Sequence, residues 1–162
     1  SYMHIDTLFT HIDRNDIVCF KPIIFDGDGS NVFVESKDRE SRNYHSVQEF
    51  ILEEINPDMN FIFAGQGKSP YQDREQWTDG CNLLTIKPGV AISYDRNQLT
   101  GREFEKAGYT VISAIDFIEK YKSLDNPLDS IEKMIIALPS AELSRARGGS
   151  HCMSMPLLRE SL

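Results

Sequence analysis

Twice along this chain, two strand-like runs, a helix-like run and a further strand-like run follow one another in the same order. The first set spans Tyr2 to Ala64 and the second Asn82 to Ser113. In the first, Tyr2 to Thr10 alternates and is rich in β-formers, so it reads as a strand. Asp13-Arg14-Asn15-Asp16 is a turn, and Ile17 to Phe20 is its hairpin partner. Ser46-Val47-Gln48-Glu49 has the capping-box pattern, with Phe50, Ile51 and Ile55 on one face of a helix that ends near Asn56-Pro57. Asn60 to Ala64 supplies the closing strand. In the second set, Asn82 to Ile86 and Val90 to Tyr94 are joined by the turn residues Lys87-Pro88-Gly89. An amphipathic helix over Asn97 to Ala107 stops at Gly108, and Tyr109 to Ser113 is a strand. This alternation predicts an α/β fold, and the repeated order predicts one supersecondary unit used more than once.

The remaining segments are less regular. Phe25 to Glu40 reads as a loop with a short strand around Val32 to Val34, and Asp73 to Trp77 as a helix or tight loop. Ala114 to Ser123 reads as a helix and Leu124 to Leu138 as an insertion. Ser140 to Ser150 is a Gly/Arg loop, and His151 to Leu157 reads as the last strand. A length of 162 residues suits one domain. The net charge of -8 argues against a nucleic-acid partner but leaves a cationic small substrate open. No apolar run approaches the roughly 20 residues of a membrane span, and Ser1-Tyr2-Met3-His4 reads as strand rather than signal peptide. Three cysteines without a CxxC pair point to a reducing, cytoplasmic setting.

Chemistry is concentrated at the two ends. Cys152 follows Gly148, Gly149 and Ser150, whose backbone can approach a ligand, and Arg145, Arg147 and His151 supply positive charge beside it. On that segment alone, a buried cysteine in a Met-rich strand is the simpler reading. Cys19 and Cys81 lie in apolar, strand-like surroundings and read as core. His4 and Asp6 stand two apart, so on a strand they would share one face, and a histidine beside a carboxylate can move protons near neutral pH. A carboxylate also matches a guanidinium through parallel hydrogen bonds. Arg147 could clamp a substrate carboxylate, or be a surface arginine in a Gly-rich loop. His11 and His45 lack further ligands at metal-site spacing, so no metal is expected.

Several blocks occur in register along the chain. They are Met3-His-Ile-Asp-Thr-Leu-Phe-Thr10, Arg74-Glu-Gln-Trp-Thr-Asp-Gly80, Asn82-Leu-Leu84, Lys87-Pro-Gly-Val90, Tyr94-Asp-Arg-Asn97 and Ser144-Arg-Ala-Arg-Gly-Gly-Ser-His-Cys-Met-Ser-Met-Pro156. Together they resemble the arginine deiminase family, in that family's order and over nearly the whole chain. The resemblance implies part of a five-bladed α/β propeller (the pentein fold) built from ββαβ units, roughly two blades plus the closing strand. It implies hydrolysis of L-arginine to citrulline and ammonia through a covalent cysteine intermediate. Cys152 would be the nucleophile, His4 the general acid and base, Asp6 a guanidinium-binding carboxylate, and Arg147 a partner of the substrate α-carboxylate. No cofactor is implied. Ala146 stands where many members have glycine.

The same resemblance places a second aspartate and a glutamate of the site N-terminal to the His-x-Asp segment, where nothing in this chain matches. It therefore implies that residues 1–162 are the C-terminal part of a single catalytic domain with the N-terminal blades absent. Such a piece would be inactive alone, and its exposed sheet edges would associate with the missing part or with a second copy. Two other readings stay open. One is a relative acting on another guanidine (an amidinotransferase, methylarginine hydrolase or agmatine deiminase). The other is a non-catalytic interaction module with the same fold.

Overall fold

The structure is a computed structural model and describes residues 4–37, 39–145 and 147–157. After a 3₁₀ turn at Ile5–Thr7, strands β1 (Phe9–Asp13) and β2 (Asp16–Cys19) form the hairpin expected around Arg14-Asn15. A short helix, α1 (Lys21–Ile24), leads to a separate hairpin of β3 (Val32–Ser36) and β4 (Arg39–Tyr44), longer than the one short strand expected there. Helix α2 (Val47–Phe50) continues as a π-turn through Ile55 and returns the chain to β5 (Asn60–Phe63), which pairs parallel with β2. The Ser46 N-cap is present at the start of α2, with Glu49 reaching back one residue beyond the cap. The Ser46 hydroxyl accepts the Glu49 amide at 3.0 Å, while the Glu49 carboxylate accepts the His45 amide at 2.6 Å.

Helix α3 (Tyr71–Trp77) leads into the second unit. Strands β6 (Leu84–Lys87) and β7 (Val90–Tyr94) are antiparallel, α4 (Gln98–Lys106) crosses over, and β8 (Thr110–Ser113) follows. Gly108 lies past α4 with φ 88, the left-handed cap expected of it. Helix α5 (Ala114–Tyr121) then leads to β9 (Met134–Leu138), which enters between β7 and β8 and is parallel to both. The sheet orders are therefore β1-β2-β5 and β6-β7-β9-β8.

The segment expected to be an insertion, Leu124 to Leu138, thus ends in a central strand. Met134, Ile135 and Ile136 are all buried, and a strand covered on both faces has no alternation to betray it. It is β9, not β8, that fills the closing position of the second ββαβ pattern.

The two sheets share a core. Ile12, Val18 and Ile62 of the first pack with Ala91 and Ile135 of the second and with Leu83, Phe104 and Tyr109 from the segments around it. A polar hub joins them as well. Buried Asp16 accepts from Tyr109 Oη at 2.8 Å, Lys133 Nζ at 2.7 Å and Asn60 Nδ2 at 3.0 Å. Burial alone would raise the Asp16 carboxyl, but these donors outweigh it and hold it below the usual range. Among the described residues, no helix is long and apolar enough to cross a membrane.

Candidate active site

The end of β7 holds the loop that carries Cys152. Tyr94 Oη donates to the Gly148 carbonyl at 2.9 Å. Asp95 Oδ1 accepts both the amide and the hydroxyl of Ser140, at 3.2 and 3.0 Å, and Arg96 Nη1 donates to the Ser144 hydroxyl at 2.6 Å. Buried Ser150 accepts the Leu84 amide at 3.1 Å and donates to the Ile92 carbonyl at 2.7 Å, fastening the loop across β6 and β7. Residues 150–153 form turns, closed by Met153 N to Gly149 O at 3.2 Å and Ser154 N to His151 O at 3.0 Å. The strand expected over His151 to Leu157 is absent from the described residues of that span. Its i, i+4 and i, i+3 bonds turn the chain instead of extending it, and Cys152 is exposed rather than core. Cys19 and Cys81 are fully buried, as their apolar surroundings predict.

Asn82, itself buried, ties this loop to the N-terminal segment. Its Oδ1 accepts the Cys152 amide at 3.3 Å and its Nδ2 donates to the Asp6 carbonyl at 3.4 Å. The approach leaves room only for glycine at position 149. A Cβ there would lie 2.5 Å from the Asn82 carbonyl oxygen and 2.6 Å from its Cβ. Gly149→Ala is therefore expected to push the Cys152 loop off Asn82. It should cost about 1–3 kcal/mol in urea unfolding, the usual range for overpacking, and slow the alkylation of Cys152.

His4 and Asp6 do not share a strand face. The His4 carbonyl accepts the Thr7 amide at 3.2 Å and the Thr7 hydroxyl at 2.6 Å, and these bonds wind the segment into a 3₁₀ turn. At three residues per turn, positions i and i+2 face different directions. The consequence is useful: the two side chains reach Cys152 from two sides. His4 lines a pocket of about 140 Å³ with Thr7, Asp79, Arg147, Gly148 and Cys152. Asp6 lines a wider cleft of about 870 Å³ that also contains Cys152. Tyr2 and Met3, which belong to the same expected strand, lie outside the described residues, as does Ala146.

The Asp6 carboxylate sits at the centre of this junction. Its Oδ2 lies 3.7 Å from Cys152 Sγ and 3.0 Å from His151 Nδ1. Its Oδ1 is buried and has no hydrogen-bond partner among the described residues. Arg147 is no loose surface arginine: its guanidinium carbon lies 3.9 Å from the ring centroid of Trp77. The structure therefore brings Cys152, His4, Asp6 and Arg147 together. It adds residues that sequence reasoning left unassigned, namely Asp79, Asn82, Tyr94 and Trp77. All four stand in the sequence blocks quoted above, which was their only signal.

Burial raises the Cys152 thiol, and Asp6 and Asp79 add to that, while the Gly149 amide and the Asn82 side chain work against it. The net direction is upward. Alkylation of Cys152 by neutral iodoacetamide is accordingly expected to keep rising with pH beyond the ordinary thiol midpoint of 9.0. A pH–rate profile that levels off below that midpoint would contradict this electrostatic picture. Cys19 and Cys81 stay protected in the native chain.

The sequence model of the arginine deiminase family matches residues 1–159. This chain belongs to the arginine deiminase family. Arginine deiminase from Mycoplasma capricolum is 32% identical over 163 residues, covering 100% of this chain and 34% of that protein. Arginine deiminases from Borrelia garinii and Latilactobacillus sakei are 33% and 34% identical, covering 100% and 99% of this chain. The chain thus spans about a third of the length of these arginine deiminases.

Proposed function

We propose that this chain is the C-terminal part of an arginine deiminase catalytic domain, and that it contributes the nucleophile, the proton carrier and one guanidinium-binding carboxylate to hydrolysis of L-arginine. The observation that carries this reading is the pairing of an exposed thiol with a carboxylate that has one buried, unpartnered oxygen. A buried oxygen left without a donor costs free energy. A guanidinium offers two parallel N–H donors, which supply Oδ1 and can displace His151 from Oδ2.

In this mechanism the Cys152 thiolate attacks the guanidinium carbon, and the C–S bond forms as the π electrons move to nitrogen. His4 protonates the departing nitrogen, the C–N bond breaks and ammonia leaves, giving an amidino-thioether on Cys152. Water then loses a proton to His4 and attacks the same carbon. Breaking the C–S bond returns the thiolate and releases citrulline. The substrate's positive charge offsets the carboxylates that raise the thiol, so thiolate forms best with substrate bound. Arg147 donates hydrogen bonds to the α-carboxylate.

The remaining acidic groups come, on this reading, from N-terminal blades of a five-bladed propeller, with β1-β2-β5 and β6-β7-β9 as two ββαβ blades. The enzyme is cytoplasmic, needs no cofactor and forms homo-oligomers. Mixing this chain with the N-terminal portion of a relative and measuring citrulline from arginine and ureido product from agmatine tests the proposal. Citrulline from the mixture, and none from either part, is expected. Full activity from the 162 residues alone would overturn the incompleteness, and preference for agmatine would overturn the substrate.

A further inference from the structure

One buried carboxylate at the site has no place in the mechanism above. Asp79 is 3% exposed and sits just past α3 in the left-handed region, with φ 63. Facing it is Arg147, also left-handed at φ 59. Non-glycine residues take this conformation uncommonly, aspartate more readily than arginine, and such positions gather at functional sites.

The contacts here are specific. Asp79 Oδ2 accepts the Gly148 amide at 3.1 Å. Trp77, on the same turn, lies under the Arg147 guanidinium at 3.9 Å. The turn therefore grips two successive loop residues, one by its ring and one by its carboxylate. Asp79 also lines the pocket that holds His4 and Cys152.

We propose that Asp79 is a positioning residue for the nucleophile loop: its carboxylate fixes Gly148 and, by charge, docks the Arg147 guanidinium on Trp77. That the docked arginine then receives an α-carboxylate rests on the arginine reading; the docking itself does not. Asp79 has a second effect through space. Its charge adds to that of Asp6 in disfavouring the bare Cys152 thiolate, so an empty site stays less reactive. Among the described residues, the charged and titratable groups around it are Arg147, Asp6, Tyr94 and buried Cys81, with His4 and Cys152 across the pocket.

Trp77 is the single tryptophan, so its emission reports the docking directly. Acrylamide quenching is measured on the 162-residue chain and on its Arg147→Ala, Asp79→Asn and Asp79→Gly variants, together with the iodoacetamide pH profile of Cys152. Asparagine tolerates the left-handed backbone and keeps an acceptor for Gly148 while removing the charge. Glycine relieves the backbone altogether and guards against a misfolded asparagine variant. Protection of Cys19 and Cys81 certifies the fold of each.

Quenching in Asp79→Asn is expected to rise at least halfway to the Arg147→Ala value, and in Asp79→Gly further. The alkylation profile should move to lower pH by about half a unit, roughly threefold faster below its midpoint. A purely structural aspartate would not move the profile in that direction. The proposal is overturned if a folded Asp79 variant matches the parent in quenching and profile, if the profile moves upward, or if Arg147→Ala leaves quenching unchanged. Absence of citrulline in the reconstituted assay would count against the proposed function and leave these readouts intact.

Discussion

Exchanging Cys152 for serine is expected to abolish citrulline formation in the reconstituted enzyme, lowering turnover by at least about 10⁴-fold. The physical reason is the attacking atom. Sulfur forms an anion in an accessible pH range, and the bound cation assists it; a serine hydroxyl is far less acidic, and Asp6 is taken up by the guanidinium once substrate is bound. The substitution changes one atom and leaves the Asn82 tie to the residue 152 amide in place, so arginine should still bind. Mass spectrometry of the quenched parent mixture should show an amidino adduct on the peptide containing Cys152 and none in the variant. Turnover within tenfold of the parent would mean that another group attacks the guanidinium, and the covalent mechanism would fall with it.

The largest expected effect on stability lies away from the chemistry. Glu75 is fully buried, and its carboxylate accepts the Leu99 amide at 3.1 Å, the Thr100 amide at 2.8 Å and the Thr100 hydroxyl at 2.7 Å. It is a cap for α4 supplied from α3, satisfying donors that the helix itself cannot. Arg74 pairs with the same carboxylate at 2.9 Å. Glu75→Ala removes every acceptor and leaves buried donors behind, which should cost roughly 3–4 kcal/mol. Against a typical total of about 5–15 kcal/mol, that is a large share. Urea unfolding of the 162-residue chain measures it, and Glu75→Gln, which keeps one acceptor, should fall between alanine and the parent. A loss below about 1 kcal/mol for alanine would mean that water or a shifted side chain replaces the cap.

Elements with strong local signals were legible in advance. The β1–β2 hairpin rests on Arg14-Asn15, α2 on the Ser46–Glu49 capping box and the end of α4 on Gly108. In each case the deciding interactions lie within a few residues. Three segments depart from expectation, two through local turn bonds that override a strand-like composition and one through long-range strand pairing. His4 to Asp6 alternates like a strand, but the Thr7 hydroxyl captures the His4 carbonyl and winds a turn. Leu124 to Leu138 lacks a period because β9 is buried on both faces, and only its parallel ladders with β7 and β8 show where it belongs. His151 to Leu157 has strand-like composition, yet its chain is turned back by bonds across three and four residues.

The candidate site divides in the same way. Residue identities in ordered blocks were enough to name the family and to point at Cys152, His4, Asp6 and Arg147, because side-chain chemistry is written directly in the sequence. How those groups meet is not. Asn82 reaches the Cys152 amide across 70 residues, and Asp6 meets His151 across 145. Contacts at such separations form only when the two sheets pack on their shared core, so the roles of Asn82, Tyr94 and Asp79 became visible only in the fold. The sequence by itself determined the family and most of the local elements. The tertiary structure alone decided that His4 and Asp6 line two different cavities beside Cys152 and that β9 enters the second sheet between β7 and β8, since packing and long-range pairing leave no local periodic trace.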